Sequence, residues 1–215
     1  MSRVAVVDHG AGNLVSIARA LESLGGQVVL ARRPADLEGA QGLVVPGVGA
    51  SAPAMRRLAR ASLDRALADA IGAGLPYLGI CLGLQLLFDG SDEDGAGGLG
   101  LLRGRVRRLD GAPRLPHMGW NAVERTREHA LFAGIDRDAP FYFVHSFAGE
   151  PTDPGVVLAT TEHGRRFASA VAAGNVLGVQ FHPERSGRDG LALLANFLGL
   201  LAGGRARPAA VAGAA

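Results

Sequence analysis

The first half of the chain alternates short apolar runs with amphipathic runs, and this alternation constrains the fold more than any other feature. The apolar runs lie at residues 3–8, 27–31, 42–47 and 76–80. Strands that alternate with helices indicate βαβ units and a parallel sheet. Because these strands are apolar along their whole length, the sheet should be covered on both faces. We therefore predict a three-layer α/β sandwich with a mostly parallel central sheet.

The amphipathic runs of this half carry end signals typical of helices. The first follows Asn13, a favourable N-cap, and stops at Gly25. Residues 53–74 predict one long amphipathic helix ending in glycines. A further helix is expected to begin at Leu82.

The second half of the chain predicts β structure before a closing helix. Turn residues separate short β-like runs, which lie at 104–109, 141–147, 155–161, 167–174 and 175–181. These runs predict an antiparallel or mixed extension of the sheet. Since no linker or internal repeat is visible, we expect one domain over residues 1–203. Residues 204–215 lack an apolar period, and we expect a disordered tail there.

The composition excludes several classes of function. The chain of 215 residues contains no lysine, because all 22 basic residues are arginine. A P-loop lysine, a Schiff-base lysine and a pyridoxal-phosphate lysine are therefore impossible. One cysteine excludes an internal disulfide and a multi-thiolate zinc site. Scattered basic residues and only 5% aromatic residues argue against nucleic-acid binding.

The same composition predicts where the protein works. The N-terminal residues enter an apolar strand at once, without the pattern of a signal peptide. Apolar runs stay shorter than a membrane-spanning helix requires. We expect a cytoplasmic protein without membrane contact.

The single cysteine, Cys81, lies between a predicted strand and a predicted helix. It is flanked by Gly79 and Gly83, which gives the pattern G-x-C-x-G of a nucleophile elbow. Such a turn exposes the thiol at the end of a strand, and a helix N-terminus there favours the thiolate. The peptide N–H of Leu82 would then face an oxyanion. The alternative is a small buried cysteine at a tight turn.

A base for this thiol is available in the stretch around residues 178–187. In an extended segment His182 and Glu184 project from the same face. His182 could then move the proton while Glu184 orients the imidazole. The alternative is a pair of surface polar residues. A third segment, the glycine turn at residues 46–49, could supply a second oxyanion donor or be an ordinary turn.

Six segments together resemble the class I, triad-type glutamine amidotransferases, whose fold is flavodoxin-like. More narrowly, the chain is similar to the glutaminase subunits of imidazole glycerol phosphate synthases, from about residue 4 to residue 200. The segments that carry the resemblance are DHGAGNLVSI (8–17), PGVGA (46–50), GICLGLQLLF (79–88), LPHMGWN (115–121), YFVHSF (142–147) and GVQFHPERSG (178–187).

The resemblance implies a role for each matching residue. It implies a Cys-His-Glu triad formed by Cys81, His182 and Glu184, which hydrolyses L-glutamine to glutamate and ammonia. It further implies oxyanion and substrate contacts, which fall on Gly49, Leu82, Gln85, Ser146 and Phe147.

The resemblance also implies a partner protein. The ammonia would pass to a (β/α)8-barrel cyclase subunit in a heterodimer, which forms imidazole glycerol phosphate and an aminoimidazole carboxamide ribotide in histidine biosynthesis. The implied partner-facing residues are Asn13, Trp120 and Arg185. The alternative for Trp120 is a place in the core.

The chain departs from the family pattern at a few positions outside the triad. His9, Phe147 and His163 occupy positions where tyrosine is expected, and Ser51 replaces a common phenylalanine. These differences bear on contacts near the glycine turn and the partner surface.

Cofactor and metal sites are not expected. The acidic loop at residues 89–95 lacks calcium-ligand spacing, and the histidines lack a metal-binding pattern. Val15 occupies the third glycine position of a dinucleotide fingerprint, so a nucleotide cofactor is rejected. Two alternatives to the glutaminase are another thiol amidohydrolase or peptidase of the same fold, and a non-catalytic binding module.

Overall fold

An eight-stranded sheet forms the centre of the computed structural model, which describes residues 1–203. The tail expected at residues 204–215 lies outside the described residues. The strands of this sheet, given in chain order, are β1 (Arg3–Val7), β2 (Gln27–Ala31), β3 (Gly42–Gly47), β4 (Tyr77–Cys81), β8 (Glu124–Arg125), β11 (Val157–Glu162), β12 (Arg166–Ala173) and β13 (Val176–Val179).

The sheet is mixed, as the sequence predicts. Its spatial order is β2-β1-β3-β4-β13-β12-β11-β8. The first five strands run parallel, and β12, β11 and β8 extend the sheet in antiparallel fashion.

Within residues 1–203, five α-helices accompany the sheet: α1 (Leu14–Ser23), α2 (Ser51–Arg60), α3 (Leu63–Gly72), α4 (Leu82–Gln85) and α5 (Gly187–Ala202). Two buried apolar clusters lie on opposite faces of the central strands. Val4 and Val6 of β1 belong to the cluster that contains α1 and α5 residues, whereas Ala5 and Val7 belong to the one that contains α2 and α3 residues. Alternate residues of a strand therefore serve opposite cores, which gives the predicted three layers.

The helix predicted at residues 53–74 is two helices. Ser62 adopts a left-handed conformation with φ 56° and separates α2 from α3. The change of direction lets Leu58 of α2 and Leu67 of α3 reach the same apolar cluster. One straight amphipathic helix would fit the same spacing, so the periodicity alone gave the wrong prediction.

The helix predicted after Cys81 is also shorter than expected. α4 comprises only Leu82–Gln85, and the chain then enters a strand at Phe88. Leu86, Leu87 and Phe88 are fully buried, so the apolar run continues into the core without helical geometry.

Two smaller sheets complete the fold beside the central one. The first contains β5 (Phe88–Ser91), β6 (Leu102–Arg108) and β10 (Phe147–Pro151). The second is an antiparallel pair, β7 (His117–Ala122) and β9 (Pro140–His145). Short 3₁₀ turns lie at Pro34–Leu37, Ala130–Phe132, Pro154–Val156 and Pro183–Arg185.

The register of the parallel strands gathers several chain segments at one edge of the sheet. Gly47 of β3 pairs with Cys81, the last residue of β4. Val179 of β13 pairs with Ile80, so Gln180 follows beside Cys81. The carboxyl ends of parallel strands are where α/β sheets place their sites.

Among the described residues, no helix is long and apolar enough to cross a membrane.

Candidate active site

Cys81 lies in a strained turn at the end of β4. Its backbone has φ 54° and ψ −105°, a positive φ that non-glycine residues rarely adopt. A Cβ at Gly79 would lie 2.4 Å from the Gly83 carbonyl oxygen, and a Cβ at Gly83 would lie 1.7 Å from the Val45 carbonyl oxygen. Both flanking positions therefore require glycine, for the steric reason that the G-x-C-x-G pattern predicts.

His182 and Glu184 form a buried pair close to Cys81. Nδ1 of His182 lies 2.9 Å from Oε1 of Glu184, and their side chains are 6% and 3% exposed. The segment is a 3₁₀ turn over Pro183–Arg185 rather than the extended strand assumed from the sequence. The two side chains nevertheless meet, because His182 itself keeps an extended backbone before the turn.

The electrostatic environment of His182 favours its charged form. Burial lowers the pKa of this imidazole, but interactions with Cys81 and Glu184 outweigh burial and raise the pKa to about 10. Nε2 of His182 is buried and has no hydrogen-bond partner among the described residues. We therefore assign the part of the pKa increase that comes from Cys81 to charge attraction between the imidazolium and the sulfur. An imidazolium beside the sulfur would stabilise a thiolate.

Gln180 is a second polar group at the sulfur, and sequence reasoning missed it. Its Nε2 donates to Sγ of Cys81 at 3.6 Å, and its Oε1 accepts from Gln85 Nε2 at 3.3 Å. The side chain is fully buried. Because α4 is one turn long, the helix-terminus effect expected at the sulfur is limited, and Gln180 and His182 supply the local polarity. The sequence did contain a signal for Gln180, since it lies two residues before His182 and residues at this spacing in an extended segment share a face.

A cavity of about 270 Å³ opens above Cys81. This volume lies just below the range of about 300–1,000 Å³ that is typical of drug-sized ligands, so it suits a smaller molecule. The sequence predicted five of the residues that line the cavity, namely Gly49, Cys81, Gln85, Ser146 and Phe147. The other lining residues, which the sequence did not indicate, are Val48, Glu93, Pro116, Val144 and His145.

Gln85 fixes one wall of the cavity. Its Nε2 donates to the Phe147 carbonyl oxygen at 2.8 Å, which joins α4 to the start of β10. Glu93, on the opposite loop, brings a carboxylate to the cavity; burial and then Asp94 raise its pKa. Nothing in the sequence of the acidic loop indicated that Glu93 would line the cavity.

The glycine turn lies next to the elbow. Gly49 has φ 90°, and a Cβ added there would meet no neighbour within 4 Å. Glycine is therefore favoured at this position by the positive φ and not by close packing. His9 holds the base of the turn, where its buried Nε2 donates to the Pro46 carbonyl oxygen at 2.8 Å. Leu82 is buried and begins α4, directly after Cys81.

The three residues expected at a partner surface do not lie in the cavity. Trp120 is 56% exposed, which excludes its place in the core. Its ring meets Tyr142 edge-on at 6.2 Å, and the Arg185 guanidinium lies over the same Tyr142 ring at 4.1 Å. Asn13 is exposed and caps α1 by accepting from the Ser16 N–H at 3.3 Å.

Within residues 1–203, no group of three or more histidine, cysteine, aspartate or glutamate side chains is arranged to hold a metal ion. His117 instead stacks on His163 and forms a hydrogen bond and an edge-on ring contact with His145.

Comparison with known proteins agrees with this architecture. The model of the family "Glutamine amidotransferase class-I" matches residues 5–200. A crystal structure of a glutamine amidotransferase superposes with a TM-score of 0.75 at 24% identity, covering 93% of this chain and 98% of that one. At this identity the match supports the fold alone.

Curated relatives share much more of the sequence. The imidazole glycerol phosphate synthase subunit HisH of Symbiobacterium thermophilum is 51% identical over 92% of this chain and 93% of its own length. The subunit of the same name from Moorella thermoacetica is 48% identical over 92% of this chain and 94% of its own length. The chain therefore belongs to the class-I glutamine amidotransferase family and, within it, to the HisH subunits of imidazole glycerol phosphate synthase.

Proposed function

We propose that this protein is the glutaminase subunit of an imidazole glycerol phosphate synthase, in which Cys81, His182 and Glu184 hydrolyse L-glutamine to glutamate and ammonia. The observation that carries this proposal is the strained Cys81 at the floor of a small cavity, beside a buried His182–Glu184 pair. Thiol, imidazole and carboxylate in this order form the arrangement that nucleophilic acyl transfer requires.

The chemistry follows from the positions of these groups. The Cys81 thiolate attacks the side-chain amide carbon of glutamine, and the C=O electrons move to oxygen. The His182 imidazolium gives its proton to the leaving nitrogen, the C–N bond breaks, and ammonia departs. The neutral imidazole then takes a proton from water, which attacks the thioester and releases glutamate and the thiolate. Glu184 keeps Nδ1 of His182 occupied, so Nε2 carries the moving proton.

Two peptide N–H groups would stabilise the oxyanion. The amide of Leu82 follows the nucleophile directly, and the amide of Gly49 lies on the neighbouring turn, where Gly47 is in register with Cys81. Since Gly49 lines the cavity in an open, positive-φ conformation, small backbone rotations can move its N–H towards or away from the oxyanion. One oxyanion donor is worth about 10²–10³ in kcat.

The remaining lining fits the amino-acid end of glutamine. The Glu93 carboxylate would face the α-ammonium group, since it brings a negative charge to the wall of the cavity. Backbone groups of Ser146 and Phe147 would hold the α-carboxylate and α-amino ends. The carbonyl of Phe147 is already fixed by Gln85.

A (β/α)8-barrel cyclase subunit is the proposed partner and acceptor of the ammonia. Exposed apolar and aromatic residues on β7 support a docking surface there, with Met118 63% exposed and Trp120 56% exposed. Aromatic and arginine side chains are enriched at binding hot spots, and Trp120, Tyr142 and Arg185 form such a cluster. We further infer a cytoplasmic heterodimer that works without a cofactor, with residues 1–203 as the amidotransferase domain.

The test measures glutamate release by the full chain alone, with a cyclase subunit, and with the cyclase subunit and its ribotide substrate. We expect slow release by the free chain and a rise of about 10²–10³-fold in the loaded complex, the range of one oxyanion donor. Glutamine-independent peptide hydrolysis would support the peptidase alternative. No glutamate release under any of the three conditions would exclude the glutaminase.

A further inference from the structure

A row of hydrogen bonds connects the exposed strand β7 with the wall of the cavity. Nδ2 of Asn121 lies 3.2 Å from Nε2 of His117, and Nδ1 of His117 lies 3.1 Å from Nε2 of His145. Nδ1 of His145 lies 2.8 Å from the carbonyl oxygen of Phe147. His117 and His145 are cross-strand partners in the β7–β9 register, so the sheet itself sets this contact.

The direction of every bond in the row is fixed by its last acceptor. The Phe147 carbonyl can only accept, so His145 carries its proton on Nδ1 and its Nε2 becomes an acceptor. His117 must then donate from Nδ1, which leaves its own Nε2 as an acceptor.

The Asn121 amide matches this assignment at the other end. Its Nδ2 also donates to the Glu162 carbonyl at 2.9 Å, while its Oδ1 accepts from the Ala122 N–H at 2.8 Å. The amide orientation is therefore fixed independently of the histidines.

Both imidazoles lie in surroundings that keep them neutral. Burial and then His163 lower the pKa of His117 to about 4. Burial lowers the pKa of His145 to about 3, although its bond to Phe147 opposes this shift, and His117, His163 and His182 lower it further. A neutral pair with defined tautomers is required for the row to remain intact at neutral pH.

The row ends on the part of the cavity that is expected to bind substrate. His145, Ser146 and Phe147 all line the cavity, and the Phe147 carbonyl receives a second bond from Gln85. His117, in contrast, does not line the cavity and is buried between Phe143 and His163, with ring-centroid distances of 4.7 Å and 4.1 Å. Its hydrogen-bond route to the cavity runs through His145.

We propose that His117 is a positioning residue for glutamine binding, which acts by donating Nδ1–H to His145 and so holds the Phe147 carbonyl in place. The inference rests on the proposed glutaminase function. When the donor is lost, Nε2 of His145 becomes a buried acceptor without a partner, and His145 is free to change tautomer or rotate. The Phe147 carbonyl then loses the support of one of its two side-chain hydrogen bonds, the other coming from Gln85.

Two substitutions at His117 separate this role from packing. His117→Phe keeps an aromatic ring for stacking but removes the donor, whereas His117→Asn keeps a donor near the Nδ1 position but removes the ring. If His117 positions substrate, KM for glutamine in the cyclase complex rises about tenfold or more in His117→Phe, with kcat within about twofold of wild type. His117→Asn then keeps a KM close to wild type, even with a lower melting temperature.

A packing role predicts the opposite order, with phenylalanine as the better replacement in both KM and melting temperature, and this result would overturn the proposal. His163→Phe is the matched control. It preserves the stack on His117 and lies outside the row, since His163 bonds to the Arg114 carbonyl, so its KM should not change. The glutamine turnover of the wild-type complex tests the proposed function separately from the His117 variants. A wild-type complex without glutamine turnover would refute that function.

A measurement on the unmodified protein does not depend on activity or on the folding of variants. Long-range ¹H–¹⁵N spectra of the imidazole rings report which nitrogen carries the proton. We expect His117 and His145 both to be neutral and protonated on Nδ1 at pH 7. A proton on Nε2 of either ring would contradict the row and the proposal.

Discussion

Nδ1 of His182 lies 2.9 Å from Oε1 of Glu184, and both side chains are almost completely buried. The carboxylate therefore orients the imidazole from inside the protein, while the opposite nitrogen, Nε2, remains without a hydrogen bond among the described residues. In the proposed mechanism, Nδ1 therefore holds the ring in place and Nε2 transfers the proton.

Cys81→Ala is expected to abolish glutamine hydrolysis and to leave partner binding intact. The chain contains one cysteine, so no other thiol can replace it. The complex should still form product from added ammonium salts, because the partner carries out that chemistry. Glutamine-dependent and ammonium-dependent turnover are measured side by side, and retention of even a tenth of the glutamine-dependent rate would contradict the triad.

Glu184→Gln is expected to lower the pKa of His182 from about 10, because the neutral amide no longer favours the imidazolium. A raised pKa stabilises the folded protein below the unfolded value of about 6.5, and this contribution disappears as the pH rises through the folded pKa. The stability difference between wild type and variant should therefore be largest near pH 6 and shrink towards pH 10. Denaturant unfolding at several pH values, with an NMR titration of His182, tests this, and a pH-independent difference would argue against it.

Gly83→Ala is expected to disrupt the elbow, because the new Cβ would lie 1.7 Å from the Val45 carbonyl oxygen. Backbone would have to move, so we expect a loss of at least about 1–3 kcal/mol in unfolding free energy together with lost activity. Gly72→Ala is the control, since a Cβ at this helical position meets nothing within 4 Å. It should be neutral or stabilising by up to about 1 kcal/mol. Equal effects of the two substitutions would show that crowding at Gly83 is not the constraint.

Trp120→Ala is expected to weaken the complex with the cyclase by about 2–4 kcal/mol, in the range of interface hot spots. The free chain should lose less stability than the roughly 3–5 kcal/mol of a core tryptophan, because the side chain is 56% exposed. Calorimetric titration and thermal unfolding give the two quantities. Leu30→Ala, at a 41% exposed position on the edge strand β2, is a control that should leave affinity unchanged. Normal binding by Trp120→Ala would remove it from the interface.

The sequence predicted the features that depend on local chemistry. Gly79 is required because of a short contact with Gly83 in the same strand–turn–helix unit, and Gly83 is required because this unit packs against Val45 of β3. Both glycines lie within two residues of Cys81, so the constraint leaves a pattern in neighbouring residues. The spacing of two residues between His182 and Glu184 predicted that their side chains lie together. The parallel order of the first strands followed from the alternation of strands and helices.

The features that the sequence did not predict depend on distant contacts or on competing local states. The break at Ser62 interrupts a run whose periodicity fits one helix. Residues of β7 show no strong apolar period in the sequence, because its exposed face carries the large apolar side chains of Met118 and Trp120 while its inner face carries the polar His117. The contact of His117 with His145 joins residues 28 apart in sequence, and its direction depends on a carbonyl group that no sequence pattern marks.

The positive φ of Cys81 carries a consequence for the evolution of this chain. A non-glycine residue in such a conformation costs about 1–3 kcal/mol, and glycine would relieve that cost at the position of the proposed nucleophile. Stability and catalysis therefore favour different residues at position 81. In a lineage that no longer depended on glutamine hydrolysis, we would expect position 81 to be substituted early. A Cys81→Gly descendant would lack the backbone strain that its active ancestor carries at this position.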